Sequence, residues 1–222
     1  MLRERLQQVE ERIQNAVNRS GRKRDEITLV AVTKKFPAEI TREAYELGLR
    51  CFGENYVQEF ERKHPLLTDL AGAEFHLIGH LQSNKSRIAR DLFQVIETVD
   101  SEKLARRLDQ STVPGQPLEV MIEVKLSHEE SKEGAAPDLL PSLIAAIRAC
   151  SNLRLTGLMT MPPWCDDPEV TRPYFRQLAA LARQHGLAKL SMGMSHDLEA
   201  AIEEGSTHVR VGTALFGPRK KE

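Results

Sequence analysis

The chain has 222 residues, of which 41 % are hydrophobic, enough for a sizeable core in one large domain or two small ones. Its 31 basic residues stand against 32 acidic ones, and the formal net charge of -1 excludes a strongly basic nucleic-acid binder and an acidic-tail protein.

Leu2, Leu6, Val9, Ile13 and Val17 recur in steps of three and four, the apolar stripe of a leading helix that Ser20-Gly21 closes. Residues 27–33 follow as a first strand, β-branched and apolar on both parities, which predicts burial on both faces as in a parallel sheet. Further strands are predicted at 51–53, 75–79, 94–99, 118–124, 153–159, 189–193 and 208–212. Helical patterns lie between them at 38–47, 57–64, 86–92, 101–110, 138–149, 171–185 and 197–204, with Ser101, Asp138 and Asp197 as candidate caps. Eight strands alternating with helices predict a single (β/α)8 TIM barrel over residues 1–222, with residues 1–20 as an extra leading helix and no second β-domain. A doubly wound open sheet is the competitor, but no G-x-G-x-x-G follows the first strand.

Cys51, Cys150 and Cys165 are scattered and form no C-x-x-C, so reduced thiols in a cytoplasmic protein are expected rather than a disulfide framework. Charges interrupt the apolar residues of the N-terminal segment, and no stretch approaches the roughly 20 apolar residues of a membrane helix. The expectation is therefore no secretory leader and no membrane partner.

Barrel chemistry sits at the C-terminal ends of the strands. The first strand ends on Thr33, Lys34 and Lys35, the second on Gly53, Glu54, Asn55 and Tyr56, and the third on Gly79 and His80. The seventh runs into Gly193, Met194 and Ser195; the eighth carries Arg210 and runs into Gly212 and Thr213. The two glycines allow backbone N–H groups to approach an anion, and Ser195 and Thr213 add hydroxyls, a phosphate cradle or ordinary turn chemistry. A lysine amine at a barrel mouth forms a Schiff base with a carbonyl, and a second cation with an apolar surround favours its neutral form. Strand parity does not choose between Lys34 and Lys35. An amine and a phosphate cradle together suit a phosphorylated aldehyde, either pyridoxal phosphate or a phosphosugar. Arg210, if it points inward, donates to a pyridine nitrogen and leaves it unprotonated, a weak electron sink. His76 and His80 flank a strand-like segment, so no metal pair is expected there. Trp164, in the Pro-rich loop after the sixth strand, is expected to pack, with a lid contact as the alternative.

The motifs LVAVTKKFP (29–37), FGENYVQE (52–59), HLIGHLQSNK (76–85), ESKEG (130–134), GLMTMPP (157–163), LSMGMSHD (190–197) and VRVGTALFG (209–217) run through the chain in order. In these residues the chain resembles the pyridoxal phosphate homeostasis proteins, alanine-racemase-like barrels. The resemblance implies pyridoxal 5'-phosphate held as an internal aldimine on Lys34, by its place in the V-[S/T]-K motif. It implies a phosphate held by Ser195, Gly212 and Thr213 with the backbone near Met194, and Arg210 facing the pyridine nitrogen as in fold-type III proteins. Asn55 and His80 would lie near the cofactor. Where this chain has Lys35, the family pattern often has threonine. The implied role is non-catalytic, in intracellular B6 vitamer and amino-acid homeostasis. Related racemases draw a second acid/base group from an extra β-domain and a partner subunit, and few residues follow the eighth strand here, so a monomer without turnover is expected. The alternatives are a racemase-like enzyme of low activity using Tyr56 or His80, a Schiff-base aldolase, and an interaction protein whose charged ends, 1–24 and 219–222, let a partner receive or sense pyridoxal phosphate.

Overall fold

A computed structural model describes residues 1–127, 129 and 133–218. His128, most of the 130–134 motif and the charged end at 219–222 lie outside the described residues. The elements run α1 (Leu2–Ser20), β1 (Thr28–Val32), α2 (Ala38–Glu46), β2 (Cys51–Glu54), α3 (Val57–Lys63), β3 (Glu74–Leu77), α4 (Ser86–Leu92) and β4 (Val95–Val99). They continue with α5 (Glu102–Ser111), β5 (Leu118–Glu123), α6 (Leu140–Arg148), β6 (Leu153–Met159), α7 (Arg172–His185), β7 (Lys189–Met194), α8 (Leu198–Glu203), β8 (His208–Val211) and α9 (Thr213–Phe216). The eight strands close into a parallel barrel in sequence order. The closing seam pairs β8 with β1, from Thr28 opposite His208 to Ala31 opposite Val211.

Strands that are apolar on both parities fold this way because each face has something to bury. One parity (Leu29, Ala31, Phe52, Phe75, Leu77, Ile96) packs outward in one cluster with Ala44, Phe60, Ala89, Leu104 and Leu108 of the surrounding helices. Phe60 of α3 anchors that layer, its ring centroid 4.8 Å from Phe75 and 4.9 Å from Phe93. A fully buried side chain of this kind contributes about 1.5–3 kcal/mol. The other parity faces the barrel interior, where Val30, Val32, Ile78 and Met121 share the space with buried His76, Glu97, Ser191, His208 and Arg210. Barrel interiors are dominated by branched apolar residues, so this interior is unusually polar.

The leading helix α1 lies outside the strand–helix repeat. Its stripe, buried at Val9, Ile13, Ala16 and Val17, packs on α8 and α9, and Gly21 closes it in the left-handed conformation (φ 67°). The expected strands are all present. Local differences concern caps. Ser101 accepts the Leu104 N–H as expected, but Asp138 lies in a 3-10 turn, Pro137–Leu139, ahead of α6. Asp197 precedes α8, yet its Oδ1 accepts the Met194 N–H at 2.7 Å, bracing the turn behind the helix. The short helix α9 was not expected; its four residues are too few for periodicity to register. Among the described residues, no helix is long and apolar enough to cross a membrane.

Candidate functional site at the barrel mouth

A cleft of about 460 Å³ opens at the C-terminal ends of the strands, lined by Lys34, Asn55, Met194, Ser195, Arg210, Gly212 and Thr213 among others. That volume lies within the range of small-molecule sites, roughly 300–1,000 Å³. Seven of the eight expected site residues therefore converge. The eighth, His80, does not: it lines a separate cleft with Asp100, Ser101, Lys125 and Glu133, its Nδ1 3.6 Å from Asp100 and 3.7 Å from Glu133.

The first strand delivers Lys34, and not Lys35, to the cleft. The chain turns immediately after β1: the Phe36 N–H returns to the Thr33 carbonyl at 3.1 Å, and Lys35 adopts φ 62°. That left-handed conformation is disfavoured for a residue with a Cβ and is held here by the Glu59 carboxylate, which accepts the Lys35 N–H at 2.5 Å. A second clamp grips both ends of the turn. The buried Lys63 ammonium of α3 donates to the carbonyls of Thr33 (2.9 Å) and Phe36 (3.1 Å) and pairs with the buried Glu54 carboxylate. Burial pushes the Glu54 carboxyl up, against the opposing pull of Lys63 and of the Thr33 hydroxyl that donates to it at 2.7 Å.

Asn55 follows β2 and is held by the close approach of the next loop. A Cβ at Gly79 would stand 2.3 Å from the Asn55 carbonyl oxygen, so only glycine fits. The Asn55 Oδ1 is buried on the cleft wall without a hydrogen-bond partner in the structure. On the opposite side the last turn of chain in β7 passes through Gly193 (φ 91°), one residue before the strand ends at Met194, and a Cβ at Gly193 would collide with Ala201 at 2.4 Å. The turn brings Ser195 beside the end of β8, its Oγ accepting the Ala214 N–H at 3.2 Å. Arg12 of α1 reaches across, donating to the Ser195 carbonyl at 2.9 Å while paired bidentately with Glu199. The leading helix thus supports the Ser195 turn.

Arg210 lies at the cleft floor, donating to Ser191 Oγ (2.7 Å) and to the Thr160 carbonyl (2.8 Å). Burial pulls its guanidinium below the ordinary value, opposed by Glu97, Glu123 and Asp197; a guanidinium stays charged even so. Three further residues complete the rim. Met161 lines the cleft, and His196 does so with Nε2 2.7 Å from the Asp166 carbonyl. Trp164, expected to pack, is instead 68 % exposed, with its ring 4.8 Å from His196. Their signal is weak in sequence because two loops must meet before the contact exists.

A closed parallel barrel presenting one lysine, a hydroxyl-lined turn pair and a buried arginine at one mouth defines the class: an alanine-racemase-like barrel. The family model described as "Alanine racemase, N-terminal domain" matches residues 5–220. The pyridoxal phosphate homeostasis protein of Aquifex aeolicus is 43 % identical over 224 residues, covering 98 % of each chain. That of Pseudomonas aeruginosa is 46 % identical over 225 residues, covering 97 % of this chain and 95 % of the other. Among solved structures, PipY of Synechococcus elongatus without pyridoxal phosphate superposes with a TM-score of 0.85 at 39 % identity, covering 98 % of this chain and all of that one. The form of PipY with pyridoxal phosphate bound gives 0.84 at 38 % identity, with 98 % of this chain covered and 100 % of PipY. The chain belongs to the pyridoxal phosphate homeostasis protein family.

Proposed function

We propose that this chain is one barrel domain that binds pyridoxal 5'-phosphate in the mouth cleft and serves its homeostasis in the cytoplasm without catalytic turnover. The observation that carries the reading is the convergence of Lys34, Ser195, Gly212, Thr213 and Arg210 on one cleft of suitable size. The residues fit the group. Lys34 is the amine that condenses with the aldehyde, releasing water. Ser195, Gly212 and Thr213, with the backbone near Met194, hold the phosphate. The orphaned Asn55 Oδ1 offers a buried polar contact to the ring side of the ligand. The bound group supplies an electrophilic carbon and an electron-withdrawing ring.

The protein's own residues restrain that chemistry. Arg210 donates toward the ring nitrogen and does not protonate it, which leaves the ring a weak electron sink. A racemase needs a second acid/base opposite the lysine. Among the described residues, Tyr56 does not line the cleft and His80 lines another, while the His196 imidazole on the rim meets the Asp166 carbonyl through Nε2.

The test is a visible spectrum of the protein charged with pyridoxal phosphate, before and after borohydride, followed by mass mapping of the fixed lysine. The label is expected on Lys34, with Lys34→Ala failing to take it up and Lys35→Ala labelling normally. A wild-type chain that cannot be charged, or a label on Lys35, overturns the reading. Incubation with L-amino acids in deuterated water is expected to give no Cα exchange; measurable exchange would favour the racemase alternative.

A further inference from the structure

The polar groups inside the barrel form one continuous chain from the mouth toward the base. Arg210 (β8) donates to Ser191 Oγ (β7) at 2.7 Å. Ser191 donates in turn to Glu97 Oε2 (β4) at 2.5 Å. The other oxygen of the same carboxylate meets His76 Nδ1 (β3) at 2.6 Å, and His76 Nε2 lies 3.3 Å from Cys51 Sγ (β2). A serine hydroxyl has one hydrogen and lone pairs to accept with. Once Arg210 occupies a lone pair, the hydrogen is directed at Glu97, so the polarity of the chain is fixed. Both donor lines converge on Glu97, which is fully buried.

We propose that Glu97, acting through Ser191, is a positioning residue for Arg210: it sets the direction in which the guanidinium faces the mouth cleft. Three observations support the assignment. The bridge spans the barrel from β4 to β7 and β8, so Ser191, on the strand beside Arg210, is itself held from the opposite wall by Glu97. The second anchor, the Thr160 carbonyl, fixes the other guanidinium nitrogen, and two anchors leave a planar group no free rotation about its long axis. Burying this many polar groups costs free energy that a barrel of branched apolar residues would avoid. A cation that must stay charged and aligned at the cleft floor explains the arrangement. Glu123 and Asp197 also act on Arg210 by charge, and His208 acts on Glu97; the hydrogen-bonded bridge from Glu97 to Arg210 runs through Ser191.

The effect of this positioning on pyridoxal phosphate rests on the function proposed above, so the test has one arm that needs no ligand. In ligand-free protein labelled with 15N-arginine, the Arg210 guanidinium, assigned by its loss in Arg210→Lys, is expected to give resolved, slowly exchanging Nη signals. In Glu97→Gln and Ser191→Ala these are expected to merge through faster rotation. In the second arm, both variants are charged with pyridoxal phosphate. An affinity loss of about ten-fold for Glu97→Gln and about three-fold for Ser191→Ala is expected, with a shifted absorption band. Ser191→Ala deletes one hydroxyl and decides the matter if Glu97→Gln does not fold. Folded variants whose Arg210 signals stay resolved overturn the proposal. So do an unchanged band and an affinity within about two-fold of wild type. A wild-type chain that fails to bind pyridoxal phosphate defeats the proposed function alone, and the arginine signals then decide the positioning role.

Discussion

At the scale of single residues, the turn after β1 decides which lysine serves the cleft. Lys35 carries the left-handed conformation, and in doing so it leaves Lys34 at the barrel mouth. A residue with a Cβ spends about 1–2 kcal/mol in that conformation. Lys35→Gly is therefore expected to change stability by less than about 1 kcal/mol, because relief of strain offsets added chain entropy, whereas Lys35→Val is expected to cost about 1–2 kcal/mol. Urea unfolding of the two variants checks this. The clamp beneath the turn should be more sensitive. Lys63→Met leaves the buried Glu54 carboxylate without its cation, a loss of about 3–5 kcal/mol, and pairing it with Glu54→Leu should restore much of it. A simple additive loss in the double variant would mean that the two residues do not act as a pair.

At the scale of elements, sequence periodicity captured the architecture because burial on both faces writes a long apolar signal. It missed what single residues do within that signal. Glu97, followed by Thr98 in β4, and Ser191 in β7 are scattered polar positions in mostly apolar strands, which read as noise until the barrel brings β4 and β7 into reach of Arg210. The two-lysine ambiguity had the same origin: alternation fixes parity only within a strand, and the chain leaves the strand before Lys34. His80 belongs to a strand-end motif, but the loop beyond Gly79 carries it to a neighbouring cleft. The contribution of α1 was legible as an amphipathic helix and illegible as part of the site, since Arg12 meets Ser195 across 183 residues of chain. Arg12→Ala is expected to leave the fold intact and to weaken pyridoxal phosphate binding by about three- to ten-fold, measured by titration of the visible band. Binding equal to wild type would show that the helix only covers the barrel.

At the scale of the whole molecule, the polar interior makes stability depend on pH. His208 is buried and held down to about 4. Burial is the main cause, with the charge of His76 nearby adding to it and Glu97 opposing. In the unfolded chain a histidine takes its proton near 6.5. Between these values the unfolded state binds the extra proton, so stability is lost as pH falls from about 6.5 toward 4, by up to about 3 kcal/mol. His76 is raised well above 6.5 in the fold, by Cys51, Glu74 and Glu97 against its burial. It is protonated in both states across this window and adds no slope there; its contribution is lost only as pH rises through its folded value. Glu97 is held at about 2, where the hydrogen bond and charge of His76 and the charges of Arg210 and His208 outweigh its burial, so its contribution disappears only below about 4.5. His208→Gln is therefore expected to flatten the stability profile between pH 4.5 and 6.5, as read by urea unfolding at several pH values. An unchanged slope would place the titration elsewhere.

The closing seam has a further consequence. Lys34 stands just beyond β1, and Arg210, Gly212 and Thr213 stand on or just beyond β8, the two strands whose pairing completes the barrel. A ligand gripped from both sides of that seam is a clasp across the joint. It can form only after the most sequence-distant strands have met, and it opposes their parting. At about 100 times its dissociation constant it adds about 2.7 kcal/mol against opening. The occupied molecule should then resist unzipping at β1–β8 before anywhere else. Amide protons along that seam are where a bound vitamer would leave its mark.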